Sequence, residues 1–479
     1  MMSLYQTEDR NIRALGEETQ RKLKELHVLV SGSGTLSQIF LSALAGLGVG
    51  RITIIDNERI NPEDLNEFLC FNNNPNKKKI ESIKEILNKI NPVVKIDTYY
   101  SKLNKFLISD NPNVIVDATN SIMSKIDSLN LSKEYNVPFL SAFSNKNKGV
   151  MICSSPKISL EDSLECLLQE FDELDYGDVT NGIMAGILSS EILRIASPNL
   201  EEEINQSSTK NKDNKELFKI TYNLCSNNRW NGDELKYVDY SMSNSLNKKI
   251  LLVGAGALGN FVGLNLSLMG VGEITIIDDD KIEQTNLNRQ VLFYGQVGRY
   301  KAEVLAEKLN EISPIIKAKH YIERFNEKNR DMINANHYDL IFSCVDSFET
   351  RFLLDKCAEE HRIPLINGQT YAFGGELQVY WPKFSKSINN QIDLEGMIEV
   401  LKEEKPKNQR SGCANNPYPS IITPNLIIGS AMVGEAKIIF EKHNHNKLNG
   451  RLFYEYPRSY GLKEPLNLVD TQNLWKNGF

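Results

Sequence analysis

The sequence predicts an α/β protein of two doubly wound domains, each a parallel sheet with helices on both faces. Three observations point there. The chain contains itself twice, each copy alternates short β-branched runs with helical ones, and each opens on a glycine cluster between a strand and a helix. The first copy reads HVLVSGSGTLSQIFLSALAGLGVGRITIIDNERINPEDLN and the second KILLVGAGALGNFVGLNLSLMGVGEITIIDDDKIEQTNLN. Asp56 matches Asp278 and Pro92 matches Pro314 at a spacing of 222 residues, and Pro138 matches Pro364 at 226. NGIMAGILSSEIL, from Asn181, then matches NLIIGSAMVGEAKII, from Asn425, at 244, and LFKITYNL from Leu217 answers LFYEYPRS from Leu452. Spacing kept over so many landmarks marks a duplicated domain, not a solenoid unit of roughly 20–50 residues.

The elements follow in order. Val28–Ser31 and Ile250–Val253 read as buried strands, each followed by a glycine loop and a helix. Arg51–Ile55 and Glu273–Ile277 are the second strands. A polar loop, a helix ending at Asn91-Pro92 or Ser313-Pro314, and a strand at Val114–Val116 or Leu340–Ser343 come next. Such alternation implies parallel pairing. The polar connector Asp239–Ser245 sets one domain at residues 1–245 and another at 246–479, while Pro198–Glu216 reads as a polar loop inside the first copy. Two fused copies imply an internal pseudo-dimer.

Composition narrows the function. The 479 residues are 41% hydrophobic and 24% charged, as in a soluble globular protein. A net charge of −7, from 55 basic and 62 acidic residues, disfavours a nucleic-acid surface, since such binding depends on neutralising phosphates. Seven cysteines with no C-x-x-C pair exclude a disulfide framework and a four-cysteine zinc site, and no zinc is expected. The uncharged stretches Val28–Gly50 and Ile250–Gly272, each 23 residues, break at glycines and read as strand, loop and helix, not as membrane spans. The N-terminus shows no signal-peptide pattern, so a cytoplasmic location is expected.

Chemistry concentrates in the second copy. Gly254-Ala-Gly256-Ala-Leu-Gly259 lets backbone N–H groups approach phosphates at a helix N-terminus. Asp278, 24 residues on from Gly254, stands where a carboxylate accepts from ribose hydroxyls. Asp280, Asn286, Arg289, Gln290 and Lys301 follow, with more positive charge than a hydride-transfer site needs. That argues against an NAD-dependent oxidoreductase, and the same charges argue against a catalytically silent scaffold. Asp346, at the end of another strand, is a candidate Mg²⁺ ligand.

The series G-x-G-x-x-G, D-x-D, N-L-x-R-Q, G-x-x-K and C-x-D resembles the adenylation domain of ubiquitin-activating-type enzymes, the ThiF/MoeB/HesA superfamily, which includes the sulfur-carrier activators and the microcin-type peptide adenylating enzymes. The resemblance covers most of both halves and implies two Rossmann-like domains of the ThiF-type adenylation fold. It implies ATP and Mg²⁺, with Gly256 and Asp278 on adenosine and ribose. Asn286, Arg289, Gln290 and Lys301 would contact phosphates, and Asp346 would hold the metal. The implied substrate is the C-terminal carboxylate of a small ubiquitin-like or sulfur-carrier protein; the alternative is a peptide or small-molecule carboxylate.

The first copy is expected to be an inactive, pseudo-adenylation domain that departs from the pattern at each chemical position. Ser37 stands for the third glycine, Glu67 for Arg289, Phe68 for Gln290 and Asn120 for Asp346. A glutamate facing polyphosphate repels it. Before the first strand, Arg10-Asn-Ile-Arg13-Ala-Leu-Gly16 resembles the family's R-x-I-R-x-x-G segment, whose first arginine enters the partner's ATP site. Arg10 is therefore a candidate arginine finger for the second-copy site; a surface helix arginine is the other reading. Cys413, in Ser411-Gly-Cys413-Ala within a crossover loop around 383–420, resembles the acyl-accepting cysteine of ThiF-like members. It fits equally a small residue in a closing loop. Higher homo-oligomerisation is left open.

Overall fold

A computed structural model describes residues 2–61, 76–104, 110–145, 147–168, 179–197, 217–224, 245–404, 419–441 and 451–455. The first copy runs α1 (Met2–Glu25), β1 (His27–Ser31), α2 (Thr35–Leu47), β2 (Arg51–Ile55), α3 (Lys79–Ile90), β3 (Lys95–Tyr99), β4 (Val114–Asp117), α4 (Ile122–Tyr135), β5 (Phe139–Ser144), β6 (Lys148–Ser154), α5 (Leu160–Leu168), α6 (Val179–Ala196) and β7 (Leu217–Asn223). The second repeats it from its first strand: β8 (Lys249–Val253), α7 (Ala257–Met269), β9 (Glu273–Ile277), α8 (Lys301–Ile312), β10 (Lys317–Tyr321), α9 (Met332–Asn336), β11 (Leu340–Ser343), α10 (Phe348–His361), β12 (Leu365–Thr370), β13 (Gly374–Tyr380), α11 (Ile388–Ile392), α12 (Leu394–Glu404), α13 (Ile422–Phe440) and β14 (Arg451–Glu455).

Each copy forms one seven-stranded sheet, and the two orders, β3-β2-β1-β4-β5-β6-β7 and β10-β9-β8-β11-β12-β13-β14, are the same. Five strands of each run parallel, as expected. The last two are antiparallel additions, so the sheets are mixed rather than wholly parallel. The reason is local: a short turn joins β5 to β6 and β12 to β13, and a connection that short closes only an antiparallel pair. Matching caps reinforce the repeat. Ser121 and Ser347 accept from the backbone N–H groups of Ser124 and Thr350, while Asn136 and Arg362 end the same helices in the left-handed conformation.

Helices α2 and α6 of the first copy pack with α7 and α13 of the second, and one hydrophobic cluster runs through both copies. Small residues let the helices approach. A Cβ on Gly186 would lie 2.3 Å from Ile427 Cγ1, and one on Gly182 2.1 Å from Ser430 Oγ. The pseudo-symmetry extends to polar pairs: Ser144 Oγ donates to Asn181 Oδ1 at 2.5 Å, and Thr370 Oγ1 to Asn425 Oδ1 at 2.8 Å. Among the described residues no helix is long and apolar enough to cross a membrane. The expected crossover loop is helical over much of its first half, in α11 and α12, because Ser387 caps the first and the Asp355 carboxylate accepts from Ile388 and Asn389 N–H.

Candidate adenylation site

The strand order reverses between β1 and β4 in one sheet and between β8 and β11 in the other, where a doubly wound sheet opens a crevice at its carboxyl edge. In the second copy Gly254 turns the chain out of β8 at φ +97°, and its N–H donates to Ile277 O at 2.9 Å. A Cβ there would lie 2.5 Å from Cys344 O, so this turn needs glycine. A Cβ on Gly259 would lie 2.0 Å from Gly254 O, whereas Gly256 faces open space and begins α7 with no side-chain cap. That leaves the first N–H groups of α7 available to an anion.

Asp278 closes the turn from the next strand. Its carboxylate accepts from Ala255 N–H at 2.7 Å and from Asp280 N–H at 2.9 Å. Burial pushes its pKa above the ordinary aspartate value, against the pull of Lys301 and of these two N–H groups. Lys301, at the start of α8, donates to Asp280 Oδ2 at 2.6 Å; its stem is buried while Asp280 is exposed. The ammonium is therefore held at the edge of the crevice.

Asn286 closes the tight turn Gln284–Asn286, with Oδ1 accepting from Glu283 N–H at 3.0 Å, so that oxygen serves the loop. Arg289 is buried and donates to Thr285 O at 2.9 Å and to Asn288 Oδ1 at 2.7 Å. Gln290 is buried too, and its Oε1 has no hydrogen-bond partner among the described residues. Asn260 ties this loop to the glycine turn: Nδ2 donates to the Ala255 and Gly256 carbonyls, both at 3.3 Å, and Oδ1 accepts from Leu292 N–H at 3.2 Å.

Asp346 is exposed just beyond β11, on the same edge as Gly254 and Asp278. Among the described residues the group of three carboxylates within 4.8 Å of one another is Asp278, Asp279 and Asp280, and it does not include Asp346. The buried Arg351 donates to Val345 O, next to Asp346, and to Gln369 Oε1 at 3.1 Å. Arg10 is buried in α1, which packs across onto the Gln284–Asn286 turn of the other copy. Cys413, Glu67 and Phe68 lie outside the described residues. Cys153 and Cys357 are buried, and burial pushes their thiols up to about 12 and about 11. Cys344 is pushed up likewise. None of these three is an activated nucleophile.

The first copy is closer to the second than its sequence suggested. It was expected to depart at each chemical position, yet Lys79 stands where Lys301 does and pairs with Glu58 at 2.8 Å, the counterpart of Asp280. Glu58 N–H donates to Asp56 as Asp280 N–H does to Asp278. Nor does Ser37 obstruct the loop: its hydroxyl donates to Gly32 O at 2.6 Å and so stabilises the turn. Gln38 Nε2 binds Ser33 O as Asn260 binds Ala255 O. The differences that remain are the replaced charges, among them Asn120 for Asp346.

The sequence reading missed Asn260, Asn288 and Arg351. The available signals were a lone asparagine in the apolar start of α7, and Lys125 standing opposite Arg351 at the 226 spacing.

A family model described as ThiF family matches residues 8–230 and again 236–466. The chain is 33% identical over 152 residues to the adenylyltransferase and sulfurtransferase UBA4 of Yarrowia lipolytica, covering 31% of this chain and 38% of that protein. It is 36% identical over 193 residues to the probable adenylyltransferase/sulfurtransferase MoeZ of Mycobacterium tuberculosis, covering 40% and 47%. It thus spans less than half the length of these curated relatives. A crystal structure of Escherichia coli MccB with ATP aligns at 21% identity and a TM-score of 0.38, over 47% of this chain and 65% of that one.

Proposed function

The chain belongs to the ThiF family, and from that premise we infer that it uses ATP to adenylate the C-terminal carboxylate of a ubiquitin-like or sulfur-carrier protein. One observation carries the reading. A glycine turn, the Asp278 carboxylate, the Asp280–Lys301 pair and the buried Arg289–Gln290 segment converge on one carboxyl edge, linked through Asn260. The two relatives named above are both adenylyltransferases by name.

In the proposed reaction a substrate carboxylate oxygen attacks the α-phosphorus. The new bond joins acyl oxygen to phosphorus, the bond to the β-phosphate oxygen breaks, and pyrophosphate leaves with that electron pair. No side-chain nucleophile is needed; the chain must align the reactants and screen charge. Gly254, Gly256 and Gly259 shape the phosphate turn at the start of α7. Asp278 accepts from the ribose. Lys301 exchanges its bond to Asp280 for one to phosphate, Arg289 and Gln290 hold the departing phosphates, and Asn286 keeps their loop closed.

Arg10 reaches the site from the other copy. An exposed carboxylate oxygen at Asp346 suits Mg²⁺, which keeps most of its waters; when bound, the ion neutralises phosphate charge. On this reading residues 1–245 form an inactive partner that contributes Arg10, and 246–479 form the ATP-binding copy with the crossover segment 383–420. In its fuller form the proposal passes the acyl group from phosphate to Cys413 as a thioester, releasing AMP.

Pyrophosphate exchange with a small Gly-Gly-terminated protein, and separately with a short peptide, tests the reading. Exchange should disappear in Asp346→Ala and fall in Arg10→Ala. In Cys413→Ser it should persist while the reducible adduct to substrate is lost. No exchange with any carboxylate partner, or full exchange in Asp346→Ala, would overturn it.

A further inference from the structure

A chain of hydrogen bonds crosses from one copy to the other and ends on Arg289. Arg289 Nη1 donates to Asn288 Oδ1 at 2.7 Å. Asn288 Nδ2 donates to Asn11 Oδ1 in α1 at 2.7 Å and to Ser420 O at 3.1 Å. Asn11 Nδ2 then donates to Gly46 O, at the end of α2, at 2.9 Å. All three side chains are buried, Asn11 completely and Asn288 all but 1%. The backbones meet as closely: a Cβ on Gly46 would lie 2.6 Å from Asn288 O.

The direction of the chain is forced. A guanidinium only donates, and a backbone carbonyl only accepts. Arg289 at one end and the Gly46 and Ser420 carbonyls at the other leave a single orientation for both carboxamides. Turning Asn288 over would set its NH₂ against a guanidinium and its oxygen against two acceptors. Buried polar groups left unpaired in this way are costly, so the network holds one geometry.

We propose that Asn288 and Asn11 are positioning residues for Arg289, a carboxamide relay through which the first copy fixes the phosphate arginine of the second. The inference rests on the reading of the site given above. Asn288 occupies the unspecified place of the N-L-x-R-Q series. The relay gives the first copy a task that needs no nucleotide of its own: it supplies the acceptor that locks Asn288, and Asn288 locks Arg289. Without Asn11, the Asn288 carboxamide keeps only the Ser420 carbonyl to orient its NH₂, and the acceptor it presents to Arg289 is held less firmly.

The test measures affinity for Mg-ATP alone, by calorimetry on the full chain, with no acyl substrate. Asn288→Leu and Asn11→Leu keep the branching at Cγ, at a somewhat larger volume, and remove the relay. Each should weaken ATP binding by about tenfold, the size of one charge-assisted hydrogen bond; each also leaves buried polar groups unpaired and lowers the melting temperature, so affinity is read well below it. In an Arg289→Ala background the same substitutions should change affinity by less than about twofold, because a positioning residue has nothing left to position. An equal loss in the Arg289→Ala background, or none in the parent, would overturn the relay. If Asn288→Leu does not fold, Asn11→Leu in the other copy decides the question alone. Failure of the parent chain to bind ATP would count against the proposed function instead, and so the two are distinguishable.

Discussion

Lys125 and Asp117 form an ion pair at 3.1 Å with neither side chain exposed to solvent, where the second copy has Arg351 and Ser343 at the matching positions. The first copy neutralises its buried cation internally. Ser124 and Ser128 hydroxyls donate to Asp117 Oδ2, and the Lys125 ammonium also reaches Ser141 Oγ and Ala142 O. Burial pulls Lys125 below the ordinary lysine value, against the opposing pull of Asp117. Lys125→Met strands a buried carboxylate and should cost about 3–5 kcal/mol, whereas Asp117→Asn with Lys125→Met should lie much closer to the parent. Urea unfolding of both variants checks this; a single substitution as stable as the double refutes the coupling.

The second copy balances its buried cation against a different carboxylate, that of the buried Glu376. Burial pulls Arg351 down only to about 10, so it is charged at neutral pH, and its bond to Val345 O steadies the segment that carries Asp346. Arg351→Met should lower the rate of pyrophosphate exchange by about tenfold with little change in ATP affinity, the loss of one charge-assisted bond. Arg351→Lys should recover only part of it, because an ammonium cannot span Val345 O and Gln369 Oε1 as a guanidinium fork does. Steady-state exchange against ATP concentration separates the two effects.

Gly259→Ala forces a Cβ into the Gly254 carbonyl, 2.0 Å away. Overpacking of this kind costs about 1–3 kcal/mol and should reduce ATP affinity with it. Ser37→Gly, at the matching place in the first copy, should leave ATP affinity unchanged and lower stability slightly through loss of the bond to Gly32 O. Calorimetric titration and thermal melts of the two variants would show the contrast.

Asp278 gives the site a pH dependence. Its pKa is raised in the folded chain, mainly by burial. The stability gained by holding its proton is thus complete below the ordinary aspartate value and lost as pH rises through the raised one. Ionisation is what ribose recognition needs, so ATP affinity should fall with decreasing pH in the window just above the ordinary aspartate value. Asp278→Asn should bind more weakly throughout and lose that dependence. A flat profile in the parent chain would count against Asp278 as the ribose acceptor.

Fold and site were unequally legible in the sequence. The duplication, the strands β1, β2 and β4 with their counterparts β8, β9 and β11, and the Gly254–Asp278 turn could be read directly, because period, spacing and glycine requirement are local properties of a chain. The edge strands β7 and β14 were recognised as matching segments while β6 and β13 were not, and the antiparallel pairing of all four depends on which edge of the sheet they reach. Lys79 was overlooked because its meaning comes from pairing with Glu58 across 21 positions. Arg351 was overlooked because its worth depends on burial.

By itself the amino-acid order determined that one fold is written twice, and that Arg289 and Asp346 belong to the later copy alone. Tertiary structure decided how the copies depend on each other: Asn11 and Asn288 lie 277 positions apart and meet at 2.7 Å only because α1 packs on the other copy's loop. A hydrogen bond is a relation of distance and direction, and neither is written in a sequence until the chain has packed.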